Sequence, residues 1–231
     1  MYIFGKNVAK EVLKENTEIK KAILAKNFSD EEIIKQLSNK NISIKYLPSF
    51  ELDRLVDGNH QGIILSVSDY EYCDIDELLE KEEPFIVILD HLEDPHNFGA
   101  IIRTCEAAGV DGIIIPKNRS VEVNSTVMKT STGALNHMKI CQVTNLKSTM
   151  DYLKKQGFWI VGTDMEGTSY TDIDYKGKIV LVTGSEGFGM SRLVKENCDF
   201  IATIPMYGKV NSLNASVATA IVVYEAIKQR R

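Results

Sequence analysis

Long apolar runs are missing from this chain: none approaches the roughly 20 residues that a membrane-spanning helix needs. The leading residues Met1-Tyr2-Ile3-Phe4-Gly5-Lys6 also lack the pattern of a secretory signal, so a cytoplasmic location is expected. Cysteine is scarce and scattered. Cys73, Cys105, Cys141 and Cys198 are widely spaced with no C-x-x-C, which argues against a zinc site or a disulfide framework and predicts reduced, inert thiols. An excess of positive charge is missing as well, the formal net charge being -5. What remains is ordinary for a folded soluble protein: 231 residues, 44% hydrophobic and 26% charged, enough for one large domain or two small ones.

The negative charge is local. Lys and Arg against Asp and Glu leave -1 over residues 1–72, -5 over 73–83 and +1 over 84–231. The segment Cys73-Asp74-Ile75-Asp76-Glu77-Leu78-Leu79-Glu80-Lys81-Glu82-Glu83 therefore reads as an acidic linker between two nearly neutral parts. Either part still has room for a local basic face, which is what nucleic-acid recognition requires.

Residues 1–72 alternate short patterns: helix over 7–14, strand over 19–24, helix over 30–37 with an acidic first turn, strand over 42–47, a short helix over 50–56 and a buried strand over 62–67. This is a small α/β module, sparse in chemistry, and it reads as a binding domain. His60, the one reactive group to consider, sits in a loop before a strand and is better taken as a structural or contact residue.

Residues 84–231 repeat the alternation on a larger scale, with strands over 84–90, 112–116, 138–143, 158–162, 179–183 and 200–204 and helices near 99–109, 121–132, 146–156, 191–197 and 213–228. Such alternation predicts an α/β fold with a parallel sheet, and ordinary connection rules predict no knot. Asn97 is placed to cap the first of these helices. The helix it opens is small or apolar on every side except Arg103 and Glu106 and is expected to be buried. An unpaired guanidinium there would be heavily penalised, so Arg103 is either half of an ion pair with Glu106 one turn on or part of a site at the carboxyl edge of the sheet.

Two further segments bear on that choice. Thr183-Gly184-Ser185-Glu186-Gly187-Phe188-Gly189-Met190 joins a strand to a helix, and its glycines permit turns and close backbone approach. Its spacing is neither the dinucleotide fingerprint G-x-G-x-x-G, nor a P-loop, nor the hydrolase elbow G-x-S-x-G. A nucleotide-linked oxidoreductase is thereby disfavoured. Glu186 would repel a phosphate and suits a cationic ligand or a network that holds an arginine. In the second segment, from Ile204 to Ala220, a loop of turn formers passes into a small-residue helix whose first turn carries Ser212, Asn214 and Ser216, as caps or as a ligand wall.

Together these segments resemble the three motifs of the SpoU (TrmH) family of RNA ribose 2'-O-methyltransferases, in the knotted SPOUT superfamily. Asn97-Phe98-Gly99-Ala100-Ile101-Ile102-Arg103-Thr104, Gly184-Ser185-Glu186-Gly187-Phe188-Gly189 and Ser212-Leu213-Asn214-Ala215-Ser216 occur in the family's order, with Ala215 where valine is usual. The leading Tyr2-Ile3-Phe4-Gly5-Lys6-Asn7 and His60-Gln61-Gly62-Ile63 resemble members that methylate a guanosine of 23S ribosomal RNA and whose first domain is similar to ribosomal protein L30e. The resemblance implies an L30e-like RNA-binding domain at 1–72 and a SPOUT methyltransferase domain at 84–231 with a trefoil knot, against the unknotted default.

It further implies S-adenosyl-L-methionine as cofactor, held by Gly184, Ile204, Met206 and Leu213 with Thr163 and Gly187 nearby, and a homodimer with its active site close to the subunit interface. Arg103 is cast as the group that activates the ribose 2'-hydroxyl, with Asn97, Glu186, Ser212 and Asn214 holding Arg103, the ribose or the cofactor. Neither a metal nor a membrane is implied. A tRNA ribose methyltransferase and a noncatalytic RNA-binding assembly factor are the competing readings.

Overall fold

The computed structural model describes residues 1–14 and 17–231, which form two compact units, Met1–Glu71 and Tyr72–Arg231. No helix among the described residues is long and apolar enough to cross a membrane.

The first unit runs β1 (Tyr2–Phe4), α1 (Lys6–Lys14), β2 (Ile19–Ala25), α2 (Glu31–Asn39), β3 (Ile44–Leu47), α3 (Ser49–Leu52) and β4 (Ile63–Val67). The strands make a mixed sheet in the order β1-β4-β2-β3. Helices α1 and α2 are amphipathic and pack on each other, burying Val8, Val12 and Leu13 from one and Ile33 and Leu37 from the other. Asp30 caps α2 by accepting the Ile33 N–H, and Glu31 and Glu32 suit the positive end of its dipole. Leu52 packs with Ile23, Ala25 and Ile64. His60 is structural: it is 6% exposed, its Nδ1 accepts the Gly62 N–H at 2.9 Å, and its Nε2 lies 2.9 Å from Asp53.

The second unit contains β5 (Phe85–Asp90), α4 (Pro95–Ala108), β6 (Gly112–Pro116), α5 (Ser125–Ser131), β7 (Ile140–Val143), α6 (Leu146–Lys155), β8 (Trp159–Ser169), β9 (Ile179–Gly184), α7 (Arg192–Glu196), β10 (Phe200–Thr203) and α8 (Ala215–Arg230). Its six strands are all parallel, in the order β10-β8-β9-β5-β6-β7. Every residue of the central strands β5 and β9 is buried, which is why both read as unbroken apolar runs rather than alternating ones. Ile86, Ile88, Val180 and Val182 join Met150, Leu153 and Val194 in one core layer. Phe85, Val87 and Leu89 point the other way by strand alternation, and the Arg230 guanidinium of α8 stacks over the Phe85 ring.

Several element boundaries differ from expectation. Helix α4 starts earlier than Asn97: Asp94 is the cap, accepting the His96 N–H, and Pro95 takes the first helical position, where its missing N–H is no loss. Residues 121–124 are not helical, because Val121 donates its N–H to the Leu92 carbonyl and Asn124 caps a helix that begins at Ser125. Strand β8 continues well past Gly162, with a register shift against β10.

The acidic segment is packed on the second unit instead of spanning free between the two. Ile75–Leu78 forms a 3-10 turn closed by a capping box between Asp74 and Glu77, and Leu78 is buried against Gly112, where an added Cβ would meet its Cδ2 at 2.4 Å. Lys139 binds the Glu77 carbonyl and the Glu80 carboxylate, and Tyr152 donates to Asp76 at 2.6 Å. The expected cost of Leu78→Ala is about 2–5 kcal/mol, as for other buried leucines, read as a lower urea midpoint of the second unit. A free linker residue would shift it by less than about 0.5 kcal/mol.

Candidate functional site

The site is assembled at the carboxyl ends of the strands, where parallel α/β sheets leave room for ligands. Asn97 lies in the first turn of α4, Glu186 in the loop after β9, and Asn214 at the cap of α8. The three side chains meet. Asn97 Nδ2 and Asn214 Nδ2 both donate to Glu186 Oε1 at 2.7 Å, and Asn214 Nδ2 also reaches Asn97 Oδ1 at 2.9 Å. Asn214 uses its own oxygen to cap α8, accepting the Ser216 N–H at 2.9 Å, the Ser216 hydroxyl at 2.6 Å and the Val217 N–H at 3.4 Å. One amide thus spends its acceptor on helix geometry and its donor on the Glu186 carboxylate.

Arg103 does not join this cluster. It is exposed, and among the described residues it makes no ion pair with Glu106 or Glu186. Helix geometry accounts for this: at about 100° per residue, position 103 faces roughly 120° away from position 97, while Thr104 shares the face of Asn97. The expected burial of Arg103 fails for the same reason, since α4 buries Phe98, Ile101, Ile102 and Cys105 and leaves Arg103, Glu106 and Ala107 open. Ser212 is exposed in the stretch before α8.

The residues expected at a cofactor gather on neighbouring strands. Thr163 in β8 donates its hydroxyl to the Val182 carbonyl at 3.2 Å, Gly184 ends β9, and Ile204 follows β10. Gly184 admits no side chain, because a Cβ there would stand 2.0 Å from the Gly189 backbone carbon. Gly187 is in the left-handed region at φ 81° and is fully open, which lets the loop fold back so that Ser185 and Gly189 exchange backbone hydrogen bonds. Residues 204–214 have no regular structure and expose Met206 and Leu213, 36% and 37% open. Free backbone groups beside accessible apolar side chains fit a ligand with an apolar ring system and polar edges.

A cleft of about 620 Å³ borders the cluster, lined by Asp90, His91, Asp94, Arg119, Ser185 and Glu186. Asp90 was not anticipated as a site residue. It is 1% exposed, accepts the Ser191 N–H at 2.6 Å and contacts His91 Nδ1, so it fastens the end of β5 to the start of α7. Its signal was present in the sequence as the one carboxylate closing an apolar run. His91 and Arg119, both on the cleft wall, adopt φ of 55° and 53°, conformations unusual for side-chain-bearing residues.

Residues 84–224 match the SpoU rRNA Methylase family, and residues 2–73 match the RNA 2'-O ribose methyltransferase substrate binding family. The chain belongs to the SpoU family. A Bacillus subtilis (strain 168) relative, provisionally named TrmH family tRNA/rRNA methyltransferase YacO, is 44% identical over 99% of this chain and 96% of its own length. A Staphylococcus saprophyticus relative of the same provisional family name is 44% identical over 99% and 95%.

Among solved structures, the SpoU methyltransferase AviRb of Streptomyces viridochromogenes, in complex with AdoMet, superposes with a TM-score of 0.80 at 24% identity over 99% of this chain and 90% of AviRb. The A. aeolicus TrmH/SpoU tRNA modifying enzyme is 37% identical over 66% of this chain and 79% of its own, with a TM-score of 0.58. The SpoU assignment makes the chain an RNA methyltransferase of the TrmH type, with its three motif segments converging on Glu186.

Two substitutions at Asn214 separate its tasks. Asn214→Ala removes the cap of α8 and is expected to destabilise the second unit by about 0.5–2 kcal/mol. Asn214→Asp keeps the capping acceptor but loses the donated bonds and sets a second carboxylate against Glu186. Thermal midpoints are expected to fall for Ala. For Asp they are expected to stay closer to the parent at low pH than at neutral pH, where both carboxylates are ionised.

Proposed function

We propose that this SpoU-family chain is a ribosomal RNA 2'-O-methyltransferase that uses S-adenosyl-L-methionine, acts on a guanosine ribose of 23S RNA and works as a homodimer. The observation that carries the catalytic reading is the meeting of Asn97, Glu186 and Asn214 from three distant segments around one carboxylate oxygen. A noncatalytic assembly factor would have no need for that convergence. The matched substrate-binding family over residues 2–73 supports a role in RNA affinity for the first unit, and a large structured RNA is the reading that gives this unit work to do. The A. aeolicus tRNA modifying enzyme matches only about two thirds of the chain, which keeps tRNA as the second reading.

Thr163, Gly184, Gly187, Ile204, Met206 and Leu213 are the residues we assign to the cofactor. S-adenosylmethionine, when bound, supplies an electrophilic methyl group. The chain's own residues then have two tasks, to hold the ribose 2'-oxygen in line and to balance the charge it develops, and positioning alone is worth roughly 7–11 kcal/mol in favourable cases. Asn97, Glu186 and Asn214 brace the loops that do the holding. A guanidinium holds its proton too tightly to act as a general base at neutral pH, which disfavours that role for Arg103. Its exposure and lack of an ion pair suit a fixed cation that binds the neighbouring phosphate and stabilises the forming 2'-oxyanion. The knotted backbone belongs to the same proposal, with the loops after β9 and β10 as its crossing segments.

The homodimer rests on α8. Val217 and Tyr224 are 46% and 52% exposed on this helix, Ile221 lies half-buried between them, and the spacing i, i+4, i+7 puts all three in one stripe. An open apolar stripe of this kind on a helix beside the site is what a second copy would cover. Tyr224→Asp is expected to convert a dimer of 25.9 kDa chains to monomers by light scattering while leaving the circular dichroism spectrum unchanged.

The function is tested by labelled methyl transfer to purified rRNA and tRNA, with the modified ribose mapped by mass spectrometry. Transfer to rRNA in preference to tRNA is expected, and the reverse preference would install the second reading. Arg103→Ala is expected to slow single-turnover transfer at saturating RNA by 100-fold or more, on the order of 3 kcal/mol, with cofactor affinity retained. Removal of residues 1–71 is expected to weaken RNA binding and leave S-adenosylmethionine binding intact by calorimetry.

A further inference from the structure

Cys73 and Cys141, far apart in the sequence, stand side by side in the fold. Cys73 forms a parallel bridge with Cys141 on the outer edge of β7, and its N–H donates to the Ile140 carbonyl at 2.9 Å. Residues paired this way stand directly across from one another, with adjacent strands about 4.7–4.9 Å apart. That spacing is within the Cα separations that disulfides span.

The pair is also chemically asymmetric. Cys73 is partly open to solvent, whereas Cys141 is 3% exposed. The neighbouring Cys141 holds the Cys73 thiol below its ordinary range against the opposing effect of burial, and Cys73 together with burial pushes Cys141 well above it. Lys139 favours the Cys73 thiolate and Glu77 opposes it. The remaining cysteines lack such company: burial alone raises Cys105, and burial pushes Cys198 up to about 12. An accessible sulfur with thiolate character beside a second thiol is the arrangement of an oxidisable pair.

We propose that Cys73 and Cys141 are a peroxide-oxidisable dithiol that closes to an intramolecular disulfide. Cys73 sulfur attacks the peroxide oxygen, the O–O bond breaks, and hydrogen peroxide leaves one oxygen on Cys73 as a sulfenic acid and the other as water. Cys141 sulfur then attacks Cys73 sulfur, the S–O bond breaks, and the hydroxyl departs as water with the Cys141 proton. Two thiols lose two electrons and one peroxide takes them. The product fastens the leading end of the second unit covalently to its edge strand β7. The intervening loop contains β5, α4, β6 and α5, so the link constrains a long stretch of the unfolded chain. The idea stands independently of the methyl-transfer reading.

The test treats the full chain with hydrogen peroxide, then counts thiols in denaturant and maps linked peptides by mass spectrometry. The expected result is a fall from four free thiols to two, a Cys73–Cys141 linked peptide, and a thermal midpoint raised by a few degrees and restored by reductant. Cys105→Ser is expected to change none of these responses apart from lowering the starting thiol count by one, whereas Cys73→Ser abolishes the linked peptide and the midpoint shift. Four thiols surviving in the wild type, a link between other cysteines, or over-oxidation of Cys73 with Cys141 still free would each overturn the proposal.

Discussion

A single carboxylate oxygen, Glu186 Oε1, is the point on which the geometry of the site depends. It receives amide donors from the first turn of α4 and the cap of α8 while itself sitting in the loop after β9. Asn97 is placed by the first turn of α4, whereas the β9 loop is glycine-rich and the stretch before α8 is irregular, so neither of these two is fixed by its own secondary structure. Hydrogen bonds to an ionised acceptor are roughly twice as strong as neutral ones, and three segments sharing one acceptor lose their relative placement together if it is removed. The buried sheet supplies the platform below. β5 and β9 lie next to each other, so Asp90 and Gly184 are paired at the sheet's end and the loops that leave them are neighbours from the start.

Much of this was legible from residue patterns, and the parts that were not have physical reasons. The apolar runs of β5, β6 and β9 announced a buried parallel sheet because strands covered on both faces need no polar alternation. The motif residues Asn97, Glu186 and Asn214 were found because polar groups in otherwise small or apolar segments stand out. Their mutual contact could not be read off, because opposite charges suggest Glu186 beside an arginine, whereas Glu186 accepts from Asn97 and Asn214 in this structure. The fold instead satisfied the carboxylate with neutral amides, whose positions at a helix start and a helix cap were already determined. The same limit applied to Cys73 and Cys141, where separation in sequence hid adjacency across a strand pair. Charge counting met a similar limit in the acidic segment, whose negative total concealed Leu78, an anchor into the core of the second unit.

Arg103 shows how the surroundings of a charge can be misjudged from sequence. It drew notice as a charge in a helix expected to be buried, yet it lies on the open face of α4, a helix that packs against α8. Helix α8 is apolar around most of its circumference, and Val217 and Tyr224 are exposed on it with Ile221 half-buried between them. The burial that the sequence demands of α4 and α8 is therefore incomplete among the described residues, and on the proposed dimer a second copy would cover the stripe, since a two-fold interface sets the same patch of both copies together.

The separation of Arg103 from Glu186 also bears on chemistry. A guanidinium clamped to a carboxylate at short range has most of its field cancelled and its donors occupied, which makes it a weak stabiliser of a new anion. A guanidinium on the open face of a rigid helix, with no ion pair among the described residues, keeps both for a phosphate or a developing oxyanion. On the cation reading of Arg103, the amide network and the free guanidinium are two halves of one arrangement: the first fixes the loops without consuming positive charge, and the second leaves that charge available where the substrate's own is negative.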